Sequence, residues 1–305
     1  MNVAVIGAGA MGCIYGMYLS RKNEVLLVDV VKPHVDAINE KGLEFTHLDG
    51  TTEAVTRLKA TLDTSACSPA DLVILLTKGY QSAEALEKNA CLIGPETIVC
   101  SLQNGYGNAD DIVKYVPESQ IVLGTSGGGA IVAGPGKILH KGQGPTQLGC
   151  LTADQSKAEI VAKAMEECGV PSVELIPDVK TLLWSKLFVN IGINPICAIT
   201  GETNISIVNN PFSRAVSAMV VKEAVEVANA TGMNFDYEEM RQHVLDIATV
   251  TGGNICSMLA DVTHKRRTEV DRINGAAVSE GAKVGMKAPL NEMITALIHA
   301  KEQTY

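Results

Sequence analysis

Between Leu182 and Thr200 the chain reads LLWSKLFVNIGINPICAIT, and Lys186, Asn190 and Asn194 recur in it at intervals of four. At that spacing successive side chains lie about 40° apart around a helix of roughly 3.6 residues per turn, so one ammonium and two amides form a single stripe. Leu182, Leu183, Leu187, Phe188, Val189, Ile191 and Ile193 cover the remaining directions, the pattern of a helix buried nearly all round. An unbonded buried amide costs roughly 1–3 kcal/mol, and an unpartnered ammonium costs more. The stripe therefore either joins a polar network of the protein or faces a ligand. An ammonium among neutral amides can hold an anion, polarise a carbonyl and give up a proton.

A second constellation stands near the start. Gly7-Ala8-Gly9-Ala10-Met11-Gly12 is a GxGxxG that follows the apolar run VAVI directly and opens a helical stretch. Gly7 permits the tight turn, Gly9 lets the backbone approach a pyrophosphate, and Gly12 lets the helix pack close to the sheet, with phosphate held at the helix N-terminus. Asp29 ends the next strand, 17 positions after Gly12. A carboxylate there accepts hydrogen bonds from the adenosine ribose and repels a 2′-phosphate. The pattern predicts a nicotinamide dinucleotide, with Asp29 favouring NADH over NADPH and the nearby Lys32 opposing that preference. FAD would need further glycine-rich contacts that the chain lacks.

Other candidates sit at strand ends, where ligands of such sheets bind. Lys78 follows LVILLT, and Asn104-Gly105 follows SLQ, where the pair can equally signal a plain turn. In NICSMLADVTHKRRTEVDRINGAAV, Ser257 precedes Glu269 by twelve residues, with Arg266 and Arg267 before the glutamate and Asp271 and Asn274 after it. Taken alone, that run reads equally well as a solvated helix face.

These residues need two kinds of scaffold. Through about Leu151 the runs VAVIG, EVLLVD, LVILLT, TIVCSL and IVLGT alternate with helical stretches near 11–21, 33–41, 82–89 and 110–115. Strands apolar along their whole length between helices describe a parallel sheet covered on both faces, a Rossmann-type doubly wound α/β domain. GAIVAGPGKILHKG and PTQLGCL read as a hairpin closing this half. A helix near 156–168 and a strand near 173–175 follow. Beyond Pro177 helical periodicity dominates: the opening helix, then 213–231, 237–251, 254–263, 268–285 and 289–302. The expected organisation is a dinucleotide-binding domain over 1–176 and an all-helical C-terminal domain, for substrate and catalysis, over 177–305.

The chain has 305 residues, 46% hydrophobic and 19% charged, as in an ordinary soluble protein. Its net charge of −9 argues against a nucleic-acid or anionic-membrane partner. MNVAVIGAGAMG carries no basic leader, and no uninterrupted apolar run approaches the roughly 18–20 residues of a membrane span, so a cytoplasmic protein is expected. Eight scattered cysteines without CxxC pairs fit buried thiols in a reducing compartment, and neither they nor the six histidines suggest a metal site. The long apolar helices leave a homodimer open, with no residue that demonstrates one.

Over essentially its full length the sequence resembles the ketopantoate reductases (2-dehydropantoate 2-reductases). The resemblance rests on GAGAMG, LLTKGYQ, LQNGYG, WSKLFVNIGINPICAITGETN, and SMLADV followed by RRTEVDRINGAAV. It implies NAD(P)H-dependent reduction of ketopantoate to pantoate, on the way to pantothenate and coenzyme A, with a small 2-keto acid as the partner molecule. It further implies that Gly7, Ala8, Gly9, Ala10, Met11 and Gly12 bind cofactor phosphates, with Asp29, Lys78, Asn104, Ala130 and Glu269 along the same ligand. Lys186 matches the family's proton donor. Asn190, Asn194, Asn204 and Ser257 match residues that hold substrate, Asn104 borders both ligands, and Glu269 matches the glutamate that closes the site. Family members that use NADPH, the default, commonly carry a basic residue just after the second strand, where this chain has Val30.

Three other readings compete. One is a reductase of another 2-keto acid within the family. Another is a β-hydroxyacid dehydrogenase, which also pairs a Lys with an Asn four residues on, but after a glycine-rich turn where this chain has DVKTLLWSK. The third is a non-catalytic nicotinamide-dinucleotide sensor, expected to lose Lys186 or Glu269, both of which are present.

Overall fold

The computed structural model describes residues 1–305, which pack as two units: residues 1–103 with 108–182, and residues 104–107 with 183–305. The chain thus passes from the first unit to the second after Leu182, within a helix, whereas the sequence reading put the division at residue 176.

The first unit holds twelve strands: β1 (Asn2–Ile6), β2 (Glu24–Val28), β3 (Leu43–Thr46), β4 (Thr52–Val55), β5 (Lys59–Thr61), β6 (Leu72–Leu75), β7 (Ile98–Ser101), β8 (Ile121–Ser126), β9 (Gly129–Gly134), β10 (Lys137–Gly142), β11 (Thr146–Cys150) and β12 (Val173–Leu175). Its helices are α1 (Ala10–Leu19), α2 (Lys32–Lys41), α3 (Ser82–Lys88), α4 (Ala109–Ile112) and α5 (Ser156–Glu167). Eight strands form one sheet in the order β12-β11-β8-β7-β6-β1-β2-β5. All its neighbours run parallel except β8 and β11. The strand order reverses across β1, the switch point at which such sheets bind ligands. Val3, Val5, Leu27, Leu72, Ile74 and Cys100 are buried in its core with Ile14, Tyr15 and Met17 of α1.

The expected hairpin divides between two sheets. β9 and β10 pair antiparallel, but with β3 and β4 in a separate four-stranded sheet, while β11 joins the main one. The sequence reading had no counterpart for β3, β4 or β5.

The second unit is helical: α6 (Val179–Thr200), α7 (Ser206–Asn209), α8 (Pro211–Ala230), α9 (Tyr237–Val250), α10 (Ser257–Thr263), α11 (Asn274–Lys283) and α12 (Pro289–Glu302). Trp184, Leu187, Phe188 and Ile191 of α6 pack against Val220, Val221, Ala224, Val244 and Ile298 in one core. The helix expected over 268–285 is broken: a 3-10 turn covers Val270–Arg272, and α11 begins only at Asn274. The one expected from residue 254 starts at Ser257, where Cys256 Sγ takes the capping role by accepting the Leu259 N–H at 3.4 Å. α6 is long and apolar enough to span a membrane despite its polar stripe, a correction to the sequence reading, yet 61% of its most apolar window is buried within the protein. That is the signature of a core helix.

Candidate active site

In the first unit, the glycine signature occupies the turn from β1 into α1. Gly7 has φ +99°, and a Cβ there would stand 2.6 Å from the Thr77 nitrogen. At Gly12 a Cβ would run into the Gly7 carbonyl. Gly12→Ala therefore forces the helix off the strand, and overpacking of this kind costs roughly 1–3 kcal/mol. The expected outcome in thermal unfolding is a clear fall in Tm together with weaker dinucleotide binding; an unchanged Tm contradicts the close-packing role.

Gly9 differs from both. It is exposed, extended backbone, and a Cβ there would meet no protein atom within 4 Å. As N-cap it offers no side-chain acceptor, and the first turn of α1 has no acidic residue. Open backbone at an uncapped helix N-terminus fits an anionic phosphate. At the end of β2, Asp29 Oδ1 accepts the N–H groups of Val30 and Val31 at 2.8 and 2.9 Å, which fixes the carboxylate and leaves Oδ2 with no protein donor. Lys32 Nζ lies 2.8 Å from Asp36 Oδ2 in an exposed pair one turn along α2. These residues fit a dinucleotide.

Lys78 begins the 3-10 turn that follows β6. Its surroundings are braced by Gln103, which sequence reasoning missed. The Gln103 amide donates to Thr77 O and Ser82 Oγ, both at 2.8 Å, and accepts from Ser101 Oγ at 3.0 Å. Ala130 lies near the start of β9 opposite His140, half-buried against the core that contains α1.

In the second unit the loop 104–107 is no ordinary turn. Gly105 has φ +86°, and a Cβ there would strike the Arg272 carbonyl. Tyr106 N–H donates to Arg272 O at 2.9 Å, Arg272 Nη1 donates to Gly107 O at 3.0 Å, and the Tyr106 ring packs on Trp184 at 4.8 Å. The loop carrying Asn104 is thus fastened to the segment carrying Glu269. No local pattern could have shown this, because the pairing spans more than 160 residues of sequence.

The polar stripe of α6 answers the question its sequence raises. Asn190 is half-buried and Asn194 only 7% exposed, yet neither side-chain amide hydrogen-bonds to the protein. Lys186 is half-buried, and desolvation lowers its ammonium pKa from 10.5 to about 8 against the opposing pull of Glu269. Glu269 is itself 6% exposed. Cys256 Sγ donates to Asn194 O at 3.6 Å, which brings the start of α10, and with it the exposed Ser257, up to the stripe. Asn204 is engaged differently: its Nδ2 donates to Thr251 Oγ1 at 2.9 Å, so part of its amide serves the fold.

All eight cysteines are free. Burial pushes the Cys100 thiol up to about 12, and Cys13 and Cys256 are also raised. These thiols stay protonated and supply no nucleophile.

A family profile described as Ketopantoate reductase PanE/ApbA matches residues 3–153, and its C-terminal counterpart matches residues 178–302. The chain belongs to the ketopantoate reductase family. It is an oxidoreductase by that membership, and its α/β domain followed by a helical region is the family's fold. It is 34% identical to a 2-dehydropantoate 2-reductase of Streptococcus pyogenes serotype M3 over 99% of this chain and 98% of the relative. A 2-dehydropantoate 2-reductase of Pyrococcus abyssi is also 34% identical, with the same coverage. Among solved structures, D-mandelate dehydrogenase with NADH and anilino(oxo)acetate superposes with a TM-score of 0.93 at 31% identity, covering 100% of this chain and 99% of that one. The PanE/ApbA family ketopantoate reductase of Ralstonia eutropha JMP134 gives 0.88 at 30% identity, with the same coverage.

Proposed function

We propose that this family member reduces a 2-keto acid to the 2-hydroxy acid with a nicotinamide dinucleotide, that 2-dehydropantoate is its substrate and pantoate its product, and that Lys186 is the proton donor. The carrying observation is the stripe on α6: an ammonium whose pKa is brought down to about 8, beside two amides that the protein does not bond. The bound dinucleotide supplies the hydride for C2 of the keto acid. As charge grows on the ketone oxygen, the Lys186 ammonium stabilises it and donates a proton to it. Its lowered pKa makes that proton easier to give near neutral pH. Asn190, Asn194 and Ser257 are neutral partners for carboxylate and hydroxyl groups, so they hold an anionic substrate without neutralising Lys186. Asn204, whose Nδ2 donates to Thr251 and whose Oδ1 accepts from Cys197 Sγ at 3.9 Å, contributes its second amide hydrogen. Glu269 keeps Lys186 protonated in the resting site. The same reading places the enzyme in the cytoplasm, supplying pantothenate and coenzyme A synthesis.

The cofactor is proposed to be NADH. Asp29, held with one oxygen unbonded, meets a ribose hydroxyl well and a 2′-phosphate badly, and Lys32 is paired elsewhere.

A second reading keeps the chemistry and changes the acid. The likeness to D-mandelate dehydrogenase, together with the NADH preference read from Asp29, favours a bulkier 2-keto acid such as an aryl-substituted one. Steady-state assays of 2-dehydropantoate against phenylglyoxylate and branched aliphatic 2-keto acids, each with NADH and NADPH, decide between them. The first reading expects the highest kcat/KM with 2-dehydropantoate. Oxidation of neither cofactor by any 2-keto acid removes the reductase reading altogether.

A further inference from the structure

Glu269 sits on irregular backbone, with φ −97° and ψ 24°, and the Val270–Arg272 turn beyond it ends at Ile273 with φ −109° and ψ −90°. No continuous helical hydrogen-bond ladder holds this stretch. It is held instead from α12 and the residues that follow. Glu302 Oε1 accepts the Thr268 N–H at 2.7 Å. Three residues earlier, His299 Nδ1 lies 2.9 Å from Glu302 Oε2, and its Nε2 lies 2.8 Å from Asp271 Oδ1. The Tyr305 hydroxyl donates to the Arg266 carbonyl at 2.8 Å. Residues 299, 302 and 305 thus form a ladder at intervals of three whose contacts, at 266, 268 and 271, bracket Glu269 on both sides.

We propose that His299, Glu302 and Tyr305 are positioning residues that hold the Glu269 carboxylate where its charge sustains the Lys186 ammonium. The inference rests on the reading of Lys186 as proton donor. Its chemistry is internally consistent. Each ring nitrogen of His299 faces a carboxylate, and carboxylates only accept, so the ring must carry both protons. Burial opposes that charge, but the hydrogen bonds to Glu302 and Asp271 outweigh it and hold His299 above the ordinary imidazole range. Burial likewise raises Glu302, and the Thr268 and His299 contacts more than reverse it.

Arg267 Nη2 donates to Asp271 Oδ2 at 3.1 Å, and Arg266 Nη2 lies 3.1 Å from Asp261 Oδ1. On α11, Lys283 and Glu280 pair at 2.7 Å. Glu223 of α8 accepts the N–H groups of Leu290 and Asn291 at the other end of α12. With its folded-state pKa raised, His299 contributes stability fully present below the unfolded imidazole value and lost as pH rises through the folded one.

The test is the pH dependence of kcat in the full-length enzyme. Glu269 raises the Lys186 pKa, so a slackened Glu269 lets it fall. In His299→Phe and Glu302→Ala the alkaline limb, centred near pH 8 in the parent, is expected to move to lower pH, as it should in Glu269→Gln. Adding His299→Phe to Glu269→Gln should move it no further. The kcat at pH 7 is expected to fall roughly 10- to 100-fold, the effect of about an ångström of misplacement. A purely structural role lowers Tm and leaves the limb in place. An unmoved limb in the folded single variants, or in Glu269→Gln, overturns the proposal. Should the larger substitutions fail to fold, His299→Gln and Tyr305→Phe remove fewer contacts and carry the same decision. Undiminished turnover in Lys186→Ala would instead refute the underlying proton-donor reading.

Discussion

Lys186→Ala is expected to lower kcat by about 10²–10⁴-fold, the usual contribution of a positioned general acid. The dissociation constant for the dinucleotide should stay nearly unchanged, since the candidate phosphate and ribose residues, Gly7 to Gly12 and Asp29, lie in the first unit and Lys186 in the second. Lys186→Met separates this reading from a structural one. The folded state carries the lysine with its pKa lowered from 10.5 to about 8, so the unfolded chain binds more protons between those values and stability rises with pH across that window. At pH 7 the charged lysine is therefore a cost, of order 1–3 kcal/mol after allowance for its partial exposure. The methionine variant should be nearly inactive with a melting temperature close to the parent's, because the desolvation cost it relieves is offset by the loss of the counter-charge facing Glu269. Were Lys186 part of a structural network, its removal would lower the melting temperature, because the groups left behind would lose their partner.

The second large effect concerns the cofactor. Like charges some 5 Å apart at an effective dielectric constant near 20 repel by about 3 kcal/mol, which corresponds to roughly a hundredfold in kcat/KM. We expect the parent enzyme to favour NADH over NADPH by that order, and Asp29→Ser to remove most of the preference by improving NADPH use. Competition kinetics with both cofactors measure this. A parent enzyme that prefers NADPH would mean that Asp29 does not govern ribose selection.

Much of the scaffold was legible in the sequence because its signals are local. The βαβ alternation and GxGxxG placed β1, α1 and β2, and the 3.6-residue periodicity placed α6, α8, α9 and α12 to within a few residues. What escaped depends on pairing across the chain. β3 and β4 are four residues each, β3 burying alternate positions and β4 only Val55, and β3 finds its parallel partner β10 some ninety residues away. The break before α11 was hidden because apolar spacing runs on through Thr268–Ile273, while the contacts that shape those residues come from His299 and Glu302. α10 begins three residues later than the expected 254–263 because its cap is the Cys256 thiol, a residue type that does not mark a helix start in sequence.

The candidate site divides the same way. Lys186, Asn190 and Asn194 are visible as spacing on one helix. Gln103, Tyr106, Arg272 and His299 act through space, and no pattern along the chain marks them. Asn204 shows the limit from the other side, since its type and position suited a ligand, but Thr251 already takes one of its donors.

The most direct test of the central claim is the rate of hydride transfer to 2-dehydropantoate, measured in single turnover with saturating NADH as a function of pH. With Lys186 as proton donor the rate holds at neutral pH and falls tenfold per pH unit above about 8, following the loss of its proton. A rate that stays constant through pH 10 would contradict it.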